Sequence, residues 1–351
     1  MKKNERDRKK NLFDGNLVFG AKKFHKLTHR SESQNNHIRE EQKYLLKYNK
    51  ISNKYIRKKN YWRKIYLCPV CKSKKRIFFT SRHGVEIYEC KICNHRYMDP
   101  IPIQKIANKV YNLDQLGIKI NKSKKQHTID KKKFSYILDT INQYIKIDKE
   151  SKILDLGCGS GNFLNYVSQK SNVGICVGVE ISDEYSKKFN SSSSKIQYIN
   201  SDLESINKKK VGDQYDCITL INVFEHLYNL DEKIISIHKL LKRNGILLII
   251  VPNGFSMSTN LFRNFSTNII WKHLNYFSIN SINYIFKKSK LFKPVFSETI
   301  ISEIENIKSF LNGKPPYSGY GDPFNNFKFI TPEFIHNNKF GSRILAVFKK
   351  N

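Results

Sequence analysis

The stretch "KILDLGCGSGNF" at residues 152–163 combines a short apolar run, an aspartate and three alternating glycines, Gly157, Gly159 and Gly161. The apolar run predicts a strand, and the glycines predict a tight turn at its carboxyl end. A dinucleotide-phosphate loop has the spacing G-x-G-x-x-G, but position 162 is Asn162. The Lys-Ser/Thr ending of a P-loop is also missing from this stretch. The turn therefore favours a ligand other than a nucleotide phosphate.

Asp155 indicates the charge of that ligand. It lies at the end of the predicted strand, where ligands enter an open α/β sheet, and its carboxylate would repel a pyrophosphate and attract an ammonium group. S-adenosylmethionine carries an ammonium and a sulfonium group and no phosphate, so the sequence predicts this cofactor. The turn residues Gly157, Cys158, Gly159 and Gly161 would then bring the backbone close to it.

Two further acidic residues follow the next two predicted strands. Glu180 comes 21 residues after Gly159, close to the offset of about 20 at which an acidic residue binds a ribose. Asp202, in "NSDLE", is placed to accept a hydrogen bond from an adenine amino group. The neighbouring side chains of Ile181 and Leu203 are expected to lie on the two faces of the adenine ring.

These motifs resemble, in the order "DLGCGSG", "GVEIS", "NSDLE" and "YDCITLINVFEHL", the class I (Rossmann-like) S-adenosylmethionine-dependent methyltransferases. The resemblance covers about residues 131–300 and the final predicted strand. It implies methyl transfer and a seven-stranded, mostly parallel α/β sheet whose last strand is antiparallel. The alternation of predicted strands and helices after residue 131 favours a parallel sheet without help from the resemblance.

The elements around the glycine turn are predicted from periodicity. An amphipathic helix precedes the turn in "KKKFSYILDTINQYIKI" at residues 131–147, where apolar residues recur at helical spacing. Two late strands are expected, "PVFSETII" at 294–301 and "SRILAVFKK" at 342–350. Most of the segment 302–340 between them is rich in Gly and Pro and is expected to be an irregular insertion.

The segment "INVFEHL" follows the fourth predicted strand, on the side where an acceptor would meet the methyl group. Asn222 is expected beside the methionine part of the cofactor. His226 is the candidate general base, because an imidazole takes up a proton at neutral pH, and Glu225 is its candidate orienting partner. The resemblance adds that small-molecule O-methyltransferases and deoxysugar C-methyltransferases often carry a Glu-His pair here. The alternative is that the pair only orders the start of a helix.

The stretch "WKHLNYFS" at residues 271–278 supplies a second candidate base, His273, as a substrate-site residue. Its aromatic residues Trp271, Tyr276 and Phe277 are candidates for a lid over the acceptor, since a lid that excludes water strengthens electrostatic interactions. The alternative is that these aromatic side chains belong to the core.

Four of the seven cysteines form two pairs with the spacing C-x2-C-x18-C-x2-C, which is typical of a zinc ribbon: Cys68, Cys71, Cys90 and Cys93. Four thiolates complete a tetrahedral shell, so the Zn²⁺ is predicted to be structural and to supply folding energy to a segment with little core. The ribbon resembles those that precede methyltransferase domains in bacterial sugar-modifying and surface-glycan enzymes.

The formal net charge of the 351 residues is +33, and residues 1–66 alone carry 20 basic and 6 acidic side chains. These front residues are a candidate surface for nucleic acid or an anionic membrane, and the alternative is a solvated basic tail. No signal peptide or membrane span is predicted, and the expected location is the cytoplasm. The expected divisions are a basic extension (1–66), the ribbon (67–104), a linker (105–130) and a methyltransferase domain (131–351).

The sequence favours an enzyme that methylates a small acceptor, at a hydroxyl or carbon of a sugar or sugar nucleotide. One alternative is an RNA methyltransferase that docks RNA through the basic extension and the ribbon. The place after the fourth strand is occupied by "NVFEHL" rather than the Asn/Asp-Pro-Pro-aromatic tetrapeptide of amino-methylating enzymes, which disfavours that alternative. A second alternative is a binding module that keeps only the fold. The sequence does not indicate an oligomeric state.

Overall fold

The structure is a computed structural model that describes residues 59–82, 85–111, 124–187, 189, 193–266, 268–304, 307 and 329–351. Most of the predicted basic extension (1–66) and much of the predicted insertion (302–340) lie outside the described residues. The domain boundaries stay a prediction. In the described part of the chain, no helix is both long enough and apolar enough to span a membrane.

The strands and helices of the described residues alternate along the second half of the chain. The strands are β1 (Trp62–Arg63), β2 (Arg76–Arg82), β3 (Val85–Cys90), β4 (Arg96–Met98), β5 (Ile101–Pro102), β6 (Lys152–Leu156), β7 (Ile175–Glu180), β8 (Ile196–Asn200), β9 (Tyr215–Ile221), β10 (Leu241–Pro252), β11 (Asn275–Tyr276), β12 (Phe292–Ile300) and β13 (Arg343–Lys350). The helices are α1 (Gln104–Tyr111), α2 (Lys124–Asn142), α3 (Asn162–Lys170), α4 (Asp183–Ser186), α5 (Lys208–Val211), α6 (Leu230–Leu240), α7 (Met257–Phe262), α8 (Ile279–Ser289) and α9 (Pro332–Asn337).

Seven of these strands form one sheet in the order β12-β13-β10-β9-β6-β7-β8. β13 runs antiparallel to β10 and β12, and the other neighbouring strands are parallel. The predicted α/β, Rossmann-like seven-stranded sheet with an antiparallel last strand is confirmed. The strand order reverses between β6 and β9, and a ligand crevice is expected outside the carboxyl ends of the strands at such a switch point.

The sheet has a hydrophobic core on each face, because successive side chains of a strand point in opposite directions. In β10, Leu247 belongs to the cluster that contains residues of α6 and α8, and Leu248 belongs to the cluster that contains residues of α2 and α3. Both side chains are fully buried. This two-sided burial explains why the strands read as continuous apolar runs in the sequence.

The helix predicted in residues 131–147 is α2, which begins earlier, at Lys124, and ends at Asn142. The two late strands predicted at 294–301 and 342–350 are β12 and β13. The predicted linker contains the helix α1 and the first residues of α2.

The cysteine segment forms a second sheet of order β11-β4-β3-β2, in which β11 comes from the chain far beyond the ribbon. The Arg96 guanidinium lies 3.5 Å from the ring centroid of Phe79 and 3.9 Å from that of Phe255, and it donates a 2.7 Å hydrogen bond to the carbonyl of Gly254. The ribbon is therefore attached to the large domain by strand pairing, ring contacts and a buried arginine.

The aromatic residues predicted to form a lid lie in the core. Trp271 and Tyr276 pack with Ile87 and Met98 of the ribbon, and Phe277 packs in the core on the α6–α8 face. All three are buried, because the ribbon covers the surface that a lid would need. The core alternative is the one that the structure supports.

Candidate active site

A cavity of about 490 Å³ opens at the carboxyl ends of the parallel strands. Its wall includes His226 and the following residues predicted to bind the cofactor: Asp155, Gly157, Cys158, Gly159, Glu180, Ile181, Asp202, Leu203 and Asn222. The remaining predicted residue, Gly161, is not part of the wall. It begins α3 with φ 77°, and a Cβ atom there would come within 2.2 Å of the Phe189 ring.

Asp155 lies in the middle of the sheet at the end of β6 and is 2% exposed. Its Oδ1 accepts a 2.6 Å hydrogen bond from the Thr219 hydroxyl of the neighbouring strand β9. Burial raises the pKa of this carboxyl to about 7 in spite of that bond. A positive charge in the cavity would stabilise the ionised carboxylate.

The glycine turn passes closely between two strands. The Gly157 and Cys158 amides both donate to the Val179 carbonyl of β7, at 2.7 and 3.0 Å. Gly157 has φ 79°, and a Cβ atom at this position would lie 2.4 Å from Val223. Gly159 also has a positive φ, but the nearest atom to a Cβ there would be 4.0 Å away, on Tyr185. Gly159 thus leaves open space in the wall of the cavity, beside the backbone of the turn.

Glu180 connects the end of β7 to the glycine turn. Its carboxylate accepts hydrogen bonds from the amides of Gly159, Ile181 and Ser182 at 2.9–3.0 Å. Burial raises the pKa of Glu180, and the three amide bonds oppose that shift. A carboxylate offers about four acceptor positions, so one position is left for a ligand hydroxyl.

Asp202 follows β8 and begins a short 3-10 turn, where its Oδ1 accepts a 2.9 Å hydrogen bond from the Glu204 amide. Its Oδ2 accepts a 3.2 Å bond from Asn108 of α1. Leu203 and Ile181 line the cavity beside the two acidic residues, as the sequence predicts.

Asn222 and His226 occupy the segment after β9. Asn222 has φ 57°, and His226 ends the 3-10 turn Phe224–His226, ahead of α6 rather than within it. The Nδ1 atom of His226 lies 2.9 Å from the Lys272 carbonyl, which can only accept, so Nδ1 carries the proton of the neutral ring. The lone pair of the neutral imidazole is therefore on Nε2.

Glu225 and His273 lie behind His226 and are not part of the cavity wall. Glu225 is 1% exposed, its carboxylate accepts no hydrogen bond in the described part of the chain, and burial raises its pKa to about 8. Its Oε1 is 3.7 Å from His226 Nε2, which is longer than a hydrogen bond. The Lys272 carbonyl rather than the predicted Glu225 therefore orients the His226 ring.

His273 donates from Nδ1 to the Asn268 carbonyl at 2.8 Å, and its ring centroid is 5.0 Å from that of His226. Burial and the neighbouring His226 lower the pKa of His273 well below its ordinary value. Glu225, His226 and His273 bring their donor atoms within 4.8 Å of one another. The structure thus groups the three predicted catalytic side chains, but only His226 reaches the cavity.

Several wall residues were not predicted from the sequence. Helix α1 contributes Gln104 and Asn108, and α2 contributes Asp130, Lys133 and Phe134. Asn108 and Asp130 lie in the segment 105–130, which carries no motif, whereas Lys133 and Phe134 lie in the amphipathic helix predicted at 131–147.

The cavity wall is acidic although the protein is strongly basic. Its ionisable side chains include five carboxylates and one lysine, besides His226: Asp130, Asp155, Glu180, Asp202, Glu204 and Lys133. Lys133 pairs with Asp130 at 2.9 Å and Lys233 pairs with Glu204 at 2.7 Å. Among the described residues, the three carboxylates that remain without an ion pair are Asp155, Glu180 and Asp202. Such a wall attracts cations and repels phosphate groups.

The four ribbon cysteines lie together as free thiols, with their sulfur atoms within 4.8 Å of one another. The Sγ–Sγ distances are 3.5 Å for Cys68–Cys93 and 3.4 Å for Cys71–Cys90. A disulfide would require about 2.05 Å, whereas four sulfurs about 2.3 Å from a tetrahedral Zn²⁺ lie about 3.8 Å apart. The donor set and its spacing therefore fit a structural zinc ion.

Residues 129–291 match a family model described as "Methyltransferase domain". This segment is similar to methyltransferase domains, and its sheet has the seven strands and antiparallel last strand expected from the sequence. The chain is 27% identical over 153 residues to the ubiquinone biosynthesis O-methyltransferase of Rickettsia bellii, a match that covers 43% of this chain and 60% of the relative. The (S)-coclaurine N-methyltransferase of Thalictrum flavum is 28% identical over 120 residues, 32% of each chain. The chain thus spans at most about 60% of the length of these curated relatives.

Among solved structures, the chain is similar to the N-methyltransferase NodS from Bradyrhizobium japonicum in complex with S-adenosyl-L-homocysteine. The TM-score is 0.40 at 12% sequence identity, and the match covers 62% of this chain and 85% of that one.

The raised pKa of Asp155 predicts a pH dependence of stability. The carboxyl has its ordinary pKa of 3.8 in the unfolded chain and about 7 in the folded protein, so the folded state holds more protons between these values. The free energy of unfolding should therefore fall as the pH rises from about 4 to about 7, by at most about 1.4 kcal/mol per pH unit for this group. Urea unfolding should show a smaller fall for Asp155→Asn than for the wild type.

Asp183→Asn, which changes an exposed aspartate, should keep the wild-type pH dependence. Equal pH dependence of Asp155→Asn and wild type would contradict the assignment of this proton to Asp155.

Proposed function

We propose that the protein is an S-adenosylmethionine-dependent methyltransferase that acts on a small-molecule acceptor. The observation that carries this proposal is the acidic cavity at the switch point of a methyltransferase domain. A protein with a net charge of +33 whose cavity wall holds five carboxylates, of which lysines pair only Asp130 and Glu204, is suited to a cationic nucleoside rather than to a nucleotide phosphate.

The residues of the cavity fit this cofactor. Asp155 would bind its ammonium group, the free acceptor position of Glu180 would bind a ribose hydroxyl, and Asp202 would accept from the adenine amino group. When bound, the cofactor supplies an electrophilic methyl group on a sulfonium. The open space over Gly159 leaves room for the ligand beside the backbone.

We propose that Nε2 of His226 takes up the proton that the acceptor loses during methyl transfer. The Lys272 carbonyl keeps the Nδ1 proton in place, so the lone pair on Nε2 is ready to take a proton from an attacking hydroxyl or carbon. Burial raises the pKa of Glu225 to about 8, so its carboxyl group is mostly protonated at neutral pH. An imidazolium at His226, 3.7 Å away, would favour the ionised form of Glu225, which would in turn stabilise the positive charge. His273 would act only through His226, because it does not reach the cavity.

We further propose that the small-molecule acceptor is a sugar or sugar nucleotide. Gln104, Asn108 and Tyr228 give the cavity wall polar groups that can bind hydroxyls. The names of the curated relatives describe methylation at oxygen or nitrogen in ubiquinone biosynthesis and on coclaurine.

A second cavity supports an acceptor that carries phosphate. Its volume is about 260 Å³, and it shares Leu227 and Tyr228 with the first cavity. Three cationic residues line it, Arg63, Lys64 and Lys72, and the charge of Lys72 is paired with Asp231 at 2.7 Å. A sugar nucleotide could place its sugar near His226 and its phosphates among these cations. The alternative of RNA depends mainly on the basic extension, most of which is outside the described residues.

The cofactor assignment predicts the effect of Asp155→Ala. Removing the carboxylate from a buried ammonium pair should weaken binding of S-adenosylmethionine and S-adenosylhomocysteine by at least about thirtyfold, measured by isothermal titration calorimetry. The exposed-site variant Asp183→Ala should bind like the wild type. Unchanged affinity in a folded Asp155→Ala protein, or binding of NAD in place of these nucleosides, would refute the proposal.

The acceptor assignment predicts a different result for His226→Ala. Its affinity for S-adenosylhomocysteine should stay within about twofold, whereas kcat should fall by about 10²–10⁴, because only the proton transfer is lost. The assay is formation of S-adenosylhomocysteine with a panel of sugar nucleotides and phenols. The control is His238→Ala. His238 lies in α6, away from the cavity, and its ring packs on Phe292 of β12. Normal turnover by His226→Ala would contradict the role.

The ribbon predicts about one zinc ion per chain in the purified protein, measured by mass spectrometry. Cys71→Ser should lower the zinc content and the melting temperature, because it removes one of four ligands. Cys176→Ser, which changes a buried cysteine of β7 outside the cluster, should keep the zinc. Full zinc content in Cys71→Ser would show that the four-cysteine assignment is wrong.

A further inference from the structure

His95 is a buried histidine next to the cysteine cluster that the cluster does not use. It lies two residues after Cys93, is fully buried and is not among the four clustered ligands. Its carbonyl accepts a 2.9 Å hydrogen bond from the Cys90 amide, so the second cysteine pair fixes where its backbone lies. Its ring contacts Phe277 at a centroid distance of 4.8 Å. The side chain therefore points away from the sulfurs, toward the large domain.

The hydrogen-bond partner of the His95 ring is Asn275 of β11. The Nδ2 atom of Asn275 donates to the Leu227 carbonyl at 2.9 Å and is 3.4 Å from the Glu225 carbonyl. Both carbonyls only accept, so the amide nitrogen must face them and Oδ1 must face His95 Nε2, 3.3 Å away. His95 is consequently the donor to Asn275.

This chain of bonds ends at the backbone on both sides of His226. The Glu225 carbonyl also accepts a 3.0 Å bond from the Leu274 amide, and the Leu274 carbonyl accepts one from Met98 of the ribbon. Side-chain and backbone bonds thus connect the ribbon to the segment 225–227. Within that segment, His226 is the residue whose titratable side chain lines the cavity.

We propose that His95 and Asn275 are positioning residues that hold the segment 225–227, and with it the ring of His226, against the cysteine ribbon. The part of this proposal that concerns catalysis rests on the proposed role of His226. The ribbon then supports the active site from behind the cavity wall, and metal binding at its cysteines is coupled to the geometry at His226. An independent docking module would have no such coupling.

The test is site-resolved amide hydrogen exchange on the full-length, zinc-loaded protein. In His95→Phe, which keeps a ring of similar size but loses the donor, the Leu274 amide should exchange at least about tenfold faster. The amide of Ala346, in the centre of β13, should keep its wild-type rate. His95→Gln, whose amide can still donate to Asn275, should recover most of the protection. His238→Phe is the matched histidine control.

A second variant, Asn275→Ser, shortens the side chain and should give the same local acceleration with the same zinc content. In the double variant the two effects should not add, because both changes break one network. Once an acceptor is identified, His95→Phe and Asn275→Ser should each lower kcat about tenfold and leave the affinity for S-adenosylhomocysteine unchanged.

Wild-type exchange of Leu274 in the folded, zinc-loaded variants would overturn the proposal, because the pairing of β4 with β11 would then be sufficient. Equal acceleration of Leu274 and Ala346 would also overturn it, since that result reports global destabilisation. The exchange measurement needs no turnover, so a protein that fails to bind S-adenosylmethionine would refute the proposed function and leave this inference standing.

Discussion

The structure depends on a carboxylate buried in the middle of a sheet. Asp155 lies near the carboxyl end of β6, between two parallel strands, and one hydroxyl, that of Thr219, donates to it. Burial of this group is unfavourable, as its raised pKa shows, and the cost falls when a cation is placed beside it. The glycine turn and the amide bonds of Glu180 arrange the backbone around that position. The fold thus holds a negative charge where the strand order reverses.

The side of the cavity at His226 depends on contacts outside the large sheet. His226 follows β9, but its neighbours are hydrogen-bonded to β11, and β11 is paired with the ribbon strand β4. Two parts of the chain that are distant in sequence therefore meet at one histidine. The sheet alone would position the cofactor residues, whereas the ribbon is needed to position His226. This division explains why a small cysteine segment with little core of its own is attached so extensively to the large domain.

The position of the residues predicted to bind the cofactor was predictable because they follow strands with a clear apolar pattern, and parallel strands bring their ends to one edge. The acceptor half was only partly predictable. β11 has two residues and no periodicity, so its pairing with the ribbon leaves no trace in the sequence. Trp271 and Tyr276 resembled a lid because their burial depends on the ribbon. Asn108 reaches Asp202 from a segment that carries no motif.

Charge is segregated over short distances in this protein. At physiological ionic strength, fields decay over about 8 Å, so the carboxylates of the wall dominate the cavity although the net charge is +33. Arg63 and Lys64 dominate the adjoining cavity in the same way. An acceptor with phosphate groups is then excluded from the cofactor end and attracted to the ribbon end, with Tyr228 at the boundary. Such an arrangement would orient an anionic ligand before any specific contact forms.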